Sequence, residues 1–346
     1  MRRSCLWLIL FIASSGALVH RAAGQIPDMP IPKFEYDTNY VINYDNLLAL
    51  RLVSPRRVYD FRMRNTDTKN VLSYRPNLQS AFGIGLSYRW LAFDATFNPK
   101  WNKSKTEKFG ETREFNLKAM LYLKRDIVEL FYRRYKGLHI SNPEDYLEPW
   151  DGTYPYRPDI VNQNLSLMYS IPFNGRKYSL RTTFLLDGRQ KKSSGSFMYT
   201  GGLNIQSMRA DSSVVPVEYH NIYDERARIN RYGVVLIQNS VGYSYTFILR
   251  KFYLTLSAMP GINYAFGMVY SDGGNYDVSS FNFFTYSRSG LGYNARRWYA
   301  GLYFIYQIQS AQLNDNLDLN NNMGELRFFI GYRIHAPYVL KSIITE

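Results

Sequence analysis

Hydrophobic residues alternate with small or polar residues along segment after segment of this chain, at the two-residue period of a β-strand. In the segment 114–124, for example, Phe115, Leu117 and Leu121 share one face and Lys118 lies on the other. About thirteen such segments follow one another, and stripes with the helical period are scarce. The pattern predicts an all-β protein.

The second face of these segments distinguishes two all-β architectures. A soluble sandwich or barrel would carry Lys and Glu on its solvated face, whereas a membrane barrel turns its apolar face to lipid and its polar face to the lumen. Here the polar face is largely Gly, Ser, Thr, Asn and Gln, as in 162–170 and 202–206. Segments of roughly ten residues also match the ~9 to 11 that a tilted membrane strand needs.

We therefore predict an all-β fold, a closed antiparallel transmembrane β-barrel of about 12 strands. The alternating segments, which include a predicted strand at 178–186, add up to an odd number of strands. The scheme breaks between 188 and 231, so either 196–208 is not a full wall strand or a short strand exists at 215–219. Fourteen strands are the fallback. Aromatic residues gather near segment ends, as expected for girdles at the membrane interfaces.

The composition excludes several other classes. Hydrophobic residues make up 46% of the 346 residues, which is too many for a disordered chain. The single cysteine, Cys5, excludes a disulfide scaffold or a zinc ribbon. The longest apolar run, 6–13, is far shorter than the ~20 residues of a membrane-spanning helix.

The first 24 residues have the pattern of a secretory signal, with Arg2 and Arg3 before an apolar run and small residues at 22–24. We expect cleavage after Gly24. The predicted organisation is then a signal peptide (1–24), a periplasmic N-terminal segment (25–46), the barrel (47–335) and a C-terminal tail (336–346). The predicted location is the bacterial outer membrane, and a soluble exported β-protein is the alternative.

Long and short connections alternate along much of the barrel, which predicts short periplasmic turns and long outer loops. The long connections are expected at 65–79, 102–112, 136–159, 270–280 and 311–323.

Several stretches resemble a known family. They are Tyr132-Arg-Arg-Tyr-Lys-Gly137, Pro172-Phe-Asn-Gly-Arg-Lys-Tyr-Ser179 and, most specifically, Gln190-Lys-Lys-Ser-Ser-Gly-Ser-Phe197. They are similar to an uncharacterised family from Bacteroidetes-type bacteria, the domain of unknown function numbered 4421, over roughly residues 35 to 335. The resemblance implies an exported barrel in a Gram-negative envelope, and it implies no substrate or activity.

Charged residues on the predicted polar faces would point into the lumen, because a charge facing lipid costs ~2 to 4 kcal/mol near the membrane centre. They could form a structural ladder of ion pairs or line a selective path. Because basic residues are in excess, such a path would favour anions. The candidates are Glu114, Lys118, Glu129, Arg181, Arg327 and Arg333.

The family-like segment 190–197 also contains a turn-like stretch with two lysines, two hydroxyls and a glycine. It could simply end one strand and begin the next, or it could bind an anionic group such as a lipid or sugar phosphate. The candidate anion-binding residues are Lys191, Lys192, Ser193, Ser194 and Gly195.

Catalytic and metal chemistry have little support. A hydrolase would need a Ser beside a His, and the predicted exported chain has only His139, His220 and His335, with Ser194 and Ser196 as weak nucleophile candidates. We predict no enzymatic activity, no metal site and no cofactor, and we keep an outer-membrane lipid hydrolase as the alternative.

The net charge of +14 would fit a nucleic-acid binder, but an export signal makes envelope partners the better prediction. We expect outer-membrane lipids and an anionic glycolipid as partners, and no nucleic acid. The basic residues that could pair with lipid phosphates are Lys103, Lys105, Lys108, Arg226, Arg228 and Arg231. The sequence thus predicts a channel, transporter or structural component of the envelope, without naming its ligand or its oligomeric state.

Overall fold

The computed structural model describes residues 35–337, apart from residues 45, 79, 90, 98–102, 124, 146, 148, 185 and 187. The predicted signal peptide and residues 338–346 lie outside this part of the chain.

Strands make up most of the described chain. They are, in chain order, β1 (Val41–Asn43), β2 (Leu47–Asn65), β3 (Val71–Arg75), β4 (Phe82–Tyr88), β5 (Leu91–Phe97), β6 (Arg113–Leu123), β7 (Asp126–Ile140), β8 (Tyr156–Pro172), β9 (Gly188–Gln190), β10 (Ser194–Arg209), β11 (Ile229–Leu249), β12 (Phe252–Ala258), β13 (Pro260–Ser271), β14 (Gly274–Asn294), β15 (Trp298–Asn314) and β16 (Leu317–His335). The helical elements are α1 (Lys103–Phe109), α2 (Leu180–Phe184) and the 3-10 turns Pro143–Asp145 and Val217–Tyr219. Neither α-helix is long and apolar enough to cross a membrane.

Twelve strand positions close into one antiparallel ring, which confirms the predicted barrel and its strand number. Going round the ring, the order is β2, β4, β5, β6, β7, β8, β10, β11, β12 with β13, β14, β15 and β16. β12 and β13 count as one position, because both lie between β11 and β14 at successive heights. The ring closes where β2 pairs with β16, from Leu47 opposite His335 to Asn65 opposite Leu317.

Apolar side chains cover the outside of the ring. Phe115, Leu117, Leu121 and Phe304 are exposed, and Leu302 is half-buried on the same outward face, as the alternation predicted. A continuous apolar exterior is favourable only against lipid, and a closed ring leaves no strand edge without hydrogen-bond partners there. The fold is therefore a transmembrane β-barrel and not a soluble β-protein.

Aromatic pairs mark both ends of the apolar band. Trp298 lies 4.8 Å from Tyr332 near the end with the tight turns, measured between ring centroids. Tyr264 lies 4.9 Å from Phe281 on the side of the long connections. Such pairs form the girdles expected where a barrel meets the two interfaces. We call these two sides the turn end and the loop end.

The odd strand count has a cause that the sequence pattern did not reveal. The segment 178–186 was predicted as a strand, but it contains α2 and lies inside the ring. Neither explanation offered for the odd count is correct, because 196–208 belongs to the wall strand β10 and 215–219 contains a 3-10 turn. Removing 178–186 from the wall leaves the even number that a barrel requires.

Two of the connections that were predicted to be long are short. The connections 270–280 and 311–323 are tight hairpins, since β13 and β14 pair up to Ser271 and Gly274, and β15 and β16 pair up to Asn314 and Leu317. Outward side chains of β16 turn polar towards this hairpin. These strands therefore extend past the apolar band at the loop end.

Candidate functional site

A layer of charged side chains lies inside the ring, near the middle of β2 and β16. Alternation along the wall strands points each of them inward, away from the apolar exterior. The members among the described residues are Arg51, Arg57, Asp94, Glu114, Lys118, Glu129, Arg133, Arg288, Glu325 and Arg327.

Glu129 of β7 is fully buried and is bound from the far wall. Arg288 of β14 forms an ion pair with it, and the Tyr286 hydroxyl donates a hydrogen bond to Glu129 Oε2 at 2.9 Å. The Arg288 guanidinium also lies 4.4 Å from the centroid of the Tyr286 ring. Because β7 and β14 are on opposite sides of the ring, these contacts tie the two walls together across the lumen.

Arg327 of β16 is the second centre of the layer. It pairs with Asp94 of β5, and its Nη2 lies 2.6 Å from Glu325 Oε1. Asp94 also accepts from Arg51, whose Nη2 lies 2.6 Å from Asp94 Oδ1. Glu325 likewise pairs with Arg57, at 3.2 Å between Nε and Oε2. Asp94 and Glu325 are thus each shared by two guanidinium groups, which offsets part of the cost of burying their charges.

Glu114 and Lys118 of β6 belong to the same layer but do not pair with each other. Glu114 Oε1 lies 3.6 Å from Arg57 Nη1. The Lys118 ammonium lies 5.1 Å from the ring centroid of Phe131 and 5.7 Å from that of Tyr303. Lys118 is therefore held by aromatic faces, which attract a cation through their quadrupole.

The turn end of the lumen is filled by the chain between β8 and β10. We call residues 173–193 the turn-end plug. All five residues of α2 are buried inside the ring, and Phe184 packs edge-on against Tyr303 at 6.2 Å. Tyr178 is bonded to Ser244 of β11, with 2.5 Å between their hydroxyl oxygens. The plug is thus attached to several wall strands.

Arg181 and Arg333 act at this plug and not in the charged layer. Arg181 is part of α2, and its Nη2 donates to the Arg89 carbonyl oxygen at 2.6 Å. Arg333 is fully buried in the wall and donates from Nε to the Leu186 carbonyl oxygen at 2.8 Å and from Nη2 to Asn294 Oδ1 at 2.8 Å. Both guanidinium groups thus donate to backbone carbonyl oxygens around the plug.

The candidate anion-binding residues lie where the plug leads into β10. The Lys191 ammonium donates to the Thr38 carbonyl oxygen at 3.0 Å, and the Lys192 ammonium lies 5.6 Å from the centroid of the Tyr40 ring. Ser193 Oγ accepts from the Ile248 amide at 2.9 Å. Ser194 and Gly195 begin β10, paired with Thr246 and Tyr245 of β11. These side chains therefore bind this stretch to the N-terminal segment and to the wall.

The loop end is filled by the connection between β10 and β11. We call residues 210–228 the loop-end plug. Val214, Val215, Tyr219, Tyr223 and Ala227 are buried in one apolar cluster with inward side chains of the wall. Wall side chains also donate to the backbone of this plug, as from Asn65 Nδ2 to the Ile222 carbonyl oxygen at 2.9 Å and from Arg157 Nη1 to the Ser213 carbonyl oxygen at 2.8 Å.

Between the two plugs, the described part of the charged layer encloses a small cavity. The cavity bounded by Arg57, Asp94, Lys118 and Arg327 has a volume of about 20 Å³. That volume is enough for a single water molecule at most. The plugs thus occupy both ends of the lumen, and the charged layer is tightly packed around this cavity.

The histidines have neighbours other than serine. The His139 ring lies 4.9 Å from that of Phe109, His220 Nε2 lies 3.3 Å from the Val215 carbonyl oxygen, and His335 Nε2 lies 3.1 Å from Arg297 Nη2. Within the described ranges, no group of three or more His, Cys, Asp or Glu side chains could hold a metal ion.

The sequence did not single out several members of the layer. Asp94, Arg51 and Arg288 were missed, although all three stand at inward positions of alternating strands. Their inward positions in the alternation were the signal that could have identified them. The sequence does not reveal which residue each of them pairs with, since Arg288 and Glu129 are separated by 159 positions.

The solved structures that are similar to this chain include the following three. The outer membrane protease OmpT from Escherichia coli has 8% identity and a TM-score of 0.40, covering 84% of this chain and 97% of that chain. The transport unit of the autotransporter AIDA-I from Escherichia coli has 11% identity and a TM-score of 0.34, covering 89% and 93%. The toluene transporter TodX from Pseudomonas putida has 9% identity and a TM-score of 0.25, covering 84% and 90%.

No curated protein matches the sequence. Residues 35–334, which contain both plugs and every member of the charged layer, match the family described as a domain of unknown function (DUF4421). The chain therefore belongs to the DUF4421 family.

Proposed function

We propose that this protein is a closed barrel of the bacterial outer membrane that serves as a structural component of the envelope, without enzymatic activity. The observation that carries the proposal is the filled lumen. Segments of the chain occupy both ends of the ring, and ion pairs join its walls between them. The apolar exterior supports the membrane location, because only a closed barrel or a helix satisfies its backbone in lipid.

The charged layer is then a structural ladder. Arg327 supplies two carboxylates with a partner, and its removal would leave Asp94 and Glu325 with one guanidinium each. Breaking a buried ion pair from one side costs about 3 to 5 kcal/mol, since the remaining charge stays buried. A ladder therefore predicts a stability defect, whereas a conduction path predicts a change in selectivity.

Single-channel recording together with urea unfolding in detergent micelles tests this. The wild type and Arg327→Gln should both show no steady conductance, and Arg327→Gln should lose about 3 to 5 kcal/mol of unfolding free energy. Arg226→Gln is the control, because Arg226 lies over the Tyr276 ring in an exposed connection. A steady wild-type conductance whose selectivity changes in an Arg327→Gln protein of unaltered stability would overturn the proposal.

A gated anion path is the second candidate. The described layer contains six basic side chains and four carboxylates, so the field inside it favours anions. Such a path would require both plugs to move. Excision of 176–192 leaves β8 and β10 paired, because Asn174 Nδ2 donates to the Gly195 carbonyl oxygen at 2.9 Å. Anion-selective openings in this variant, absent from Lys191→Gln/Lys192→Gln, would favour the gated path.

A further inference from the structure

Two arginines lie directly opposite each other on the outside of the barrel. Arg209 of β10 and Arg231 of β11 are cross-strand partners, and both side chains are exposed. The Arg231 guanidinium lies 5.4 Å from the centroid of the Tyr270 ring on β13. Like charges in directly opposite positions destabilise a pair of strands.

No carboxylate of the described residues forms an ion pair with either arginine. The nearby Asp159 is already bound by Arg157, with 2.9 Å from Nε to Oδ1 and 2.7 Å from Nη2 to Oδ2. Asp159 also accepts from the Asp211 amide at 3.0 Å. The two guanidinium groups thus form a positive patch that a bound anion would neutralise.

A groove runs beside this patch. Its volume is about 530 Å³, and it is lined by Gln163, Ser207, Gly233 and Met268 together with the two arginines. A side chain at Gly233 would project into open space, since nothing lies within 4 Å of a Cβ built there. The glycine therefore keeps the groove open between β10 and β13.

The patch lies at the boundary of the lipid-facing surface. The outward positions of β10 that follow Arg209 towards the turn end are Ser207 and then the exposed Ile205 and Leu203. On β11 the exposed Ile237 lies at the same height as Leu203. The arginines therefore stand at the loop-end limit of the apolar band, where the headgroups of a lipid leaflet would lie.

We propose that this groove binds a phosphorylated lipid of the leaflet at the loop end. The two guanidinium groups would hold the phosphate by charge-assisted, bidentate hydrogen bonds, for which the planar fork of arginine is suited. Ser207 and Gln163 supply further polar groups, and the acyl chains would lie along Ile205 and Ile237. The inference rests on the proposed membrane location of the barrel.

This site differs from the lipid contacts expected from the sequence. Arg228 donates to the carbonyl oxygens of Tyr223 and His220 at 3.2 and 3.0 Å, and Arg226 lies over Tyr276. Both arginines are therefore engaged in contacts within the fold at the loop end. Of the three predicted arginines only Arg231 joins the outward pair, and Arg209 was not predicted.

Native mass spectrometry of the detergent-purified protein tests the site, with a bisphosphorylated diglucosamine lipid as the probe. The wild type should bind this lipid, and Arg209→Gln/Arg231→Gln should bind it at least about tenfold more weakly, since each charge-assisted hydrogen bond contributes at this scale. Gly233→Trp should also weaken binding while keeping both charges. Arg56→Gln is the matched control, because Arg56 is exposed on the outward face of β2 opposite Leu326.

Three outcomes would overturn the proposal. They are equal binding of the dephosphorylated lipid, undiminished binding by the double variant, and loss of lipid binding on addition of millimolar inorganic phosphate that itself binds equally well. Reconstitution into vesicles separates this from the proposed function. A double variant that inserts as a closed barrel and binds lipid like the wild type refutes the site alone, whereas failure of the wild type to insert refutes the membrane location.

Discussion

The two plugs close the same lumen with apolar packing and hydrogen bonds, but among the described residues only the turn-end plug is bound by a fully buried guanidinium, that of Arg333. The turn-end plug is held by hydrogen bonds from wall side chains to its backbone, as between Arg333 and Leu186 or between Asn294 Nδ2 and the Gly188 carbonyl oxygen at 2.9 Å. The loop-end plug buries valines and tyrosines in an apolar cluster, and the arginine that donates to it from the wall, Arg157, is partly exposed, with 2.8 Å from its Nη1 to the Ser213 carbonyl oxygen. Directional contacts fix one orientation of a segment, whereas apolar packing tolerates small shifts at modest cost. Because a charge-assisted hydrogen bond is strongest when it is fully buried, the turn-end plug should be the more rigidly placed of the two.

The largest expected effect on stability is at the loop-end plug. Tyr219→Ala removes a fully buried ring and should lower the free energy of unfolding by about 3 to 5 kcal/mol, since a cavity remains. Urea unfolding in detergent micelles measures it. Val217→Ala in the same 3-10 turn is the control, because Val217 is 76% exposed and its loss should cost little. Similar costs for the two variants would mean that the loop-end plug is not packed as described.

The second-largest expected effect on stability is at the turn-end plug. Arg333→Met keeps the length of the side chain but leaves the Leu186 and Ala295 carbonyl oxygens without this donor, at a cost of about 2 to 3 kcal/mol. The same unfolding measurement applies. Arg189→Met is the control, since Arg189 makes one exposed hydrogen bond, to the Arg250 carbonyl oxygen at 2.7 Å. A cost for Arg333→Met no larger than for its control would remove the basis of the comparison.

The smallest expected effects on stability come from removing single hydroxyl groups, one at each plug. Tyr178→Phe removes the 2.5 Å bond to Ser244 and should cost about 1 kcal/mol. Tyr223→Phe removes longer bonds to the Met63 and Asn70 carbonyl oxygens, at 3.2 and 3.3 Å, and should cost about 0.5 kcal/mol. Unfolding free energies of both variants decide the order. A larger loss of unfolding free energy for Tyr223→Phe than for Tyr178→Phe would show that the loop-end plug depends on its hydrogen bonds more than the turn-end plug does.

The wall of the barrel could be predicted from the sequence, because its strands have one apolar and one polar environment. Phe115 and Phe304 face outward as their alternation indicates. The same rule failed at 178–186, where Tyr178, Leu180 and Leu186 are spaced like a strand. A helix enclosed by wall on all sides has no solvated face, so its period leaves no trace in the pattern of polarity.

The candidate site could be predicted only in part, for a related reason. Alternation tells which side chains of a strand enter the lumen, and it correctly directs Glu129 and Arg327 there. It does not tell which strands face each other across the ring. The partners Arg288 and Asp94 depend on the order and tilt of twelve strands, and the placement of Arg181 depends on the plug.

The seam between β2 and β16 has a consequence for assembly. These strands pair over their full length although they stand at opposite ends of the barrel sequence; Arg57 and Glu325, for example, are 268 positions apart. Pairing across such a separation is entropically costly and slow, and until it forms both strands are unprotected edges. A chain that lacks its last strand would therefore keep two reactive edges and aggregate. The ring can be completed only after synthesis has reached His335, the last residue that pairs with β2.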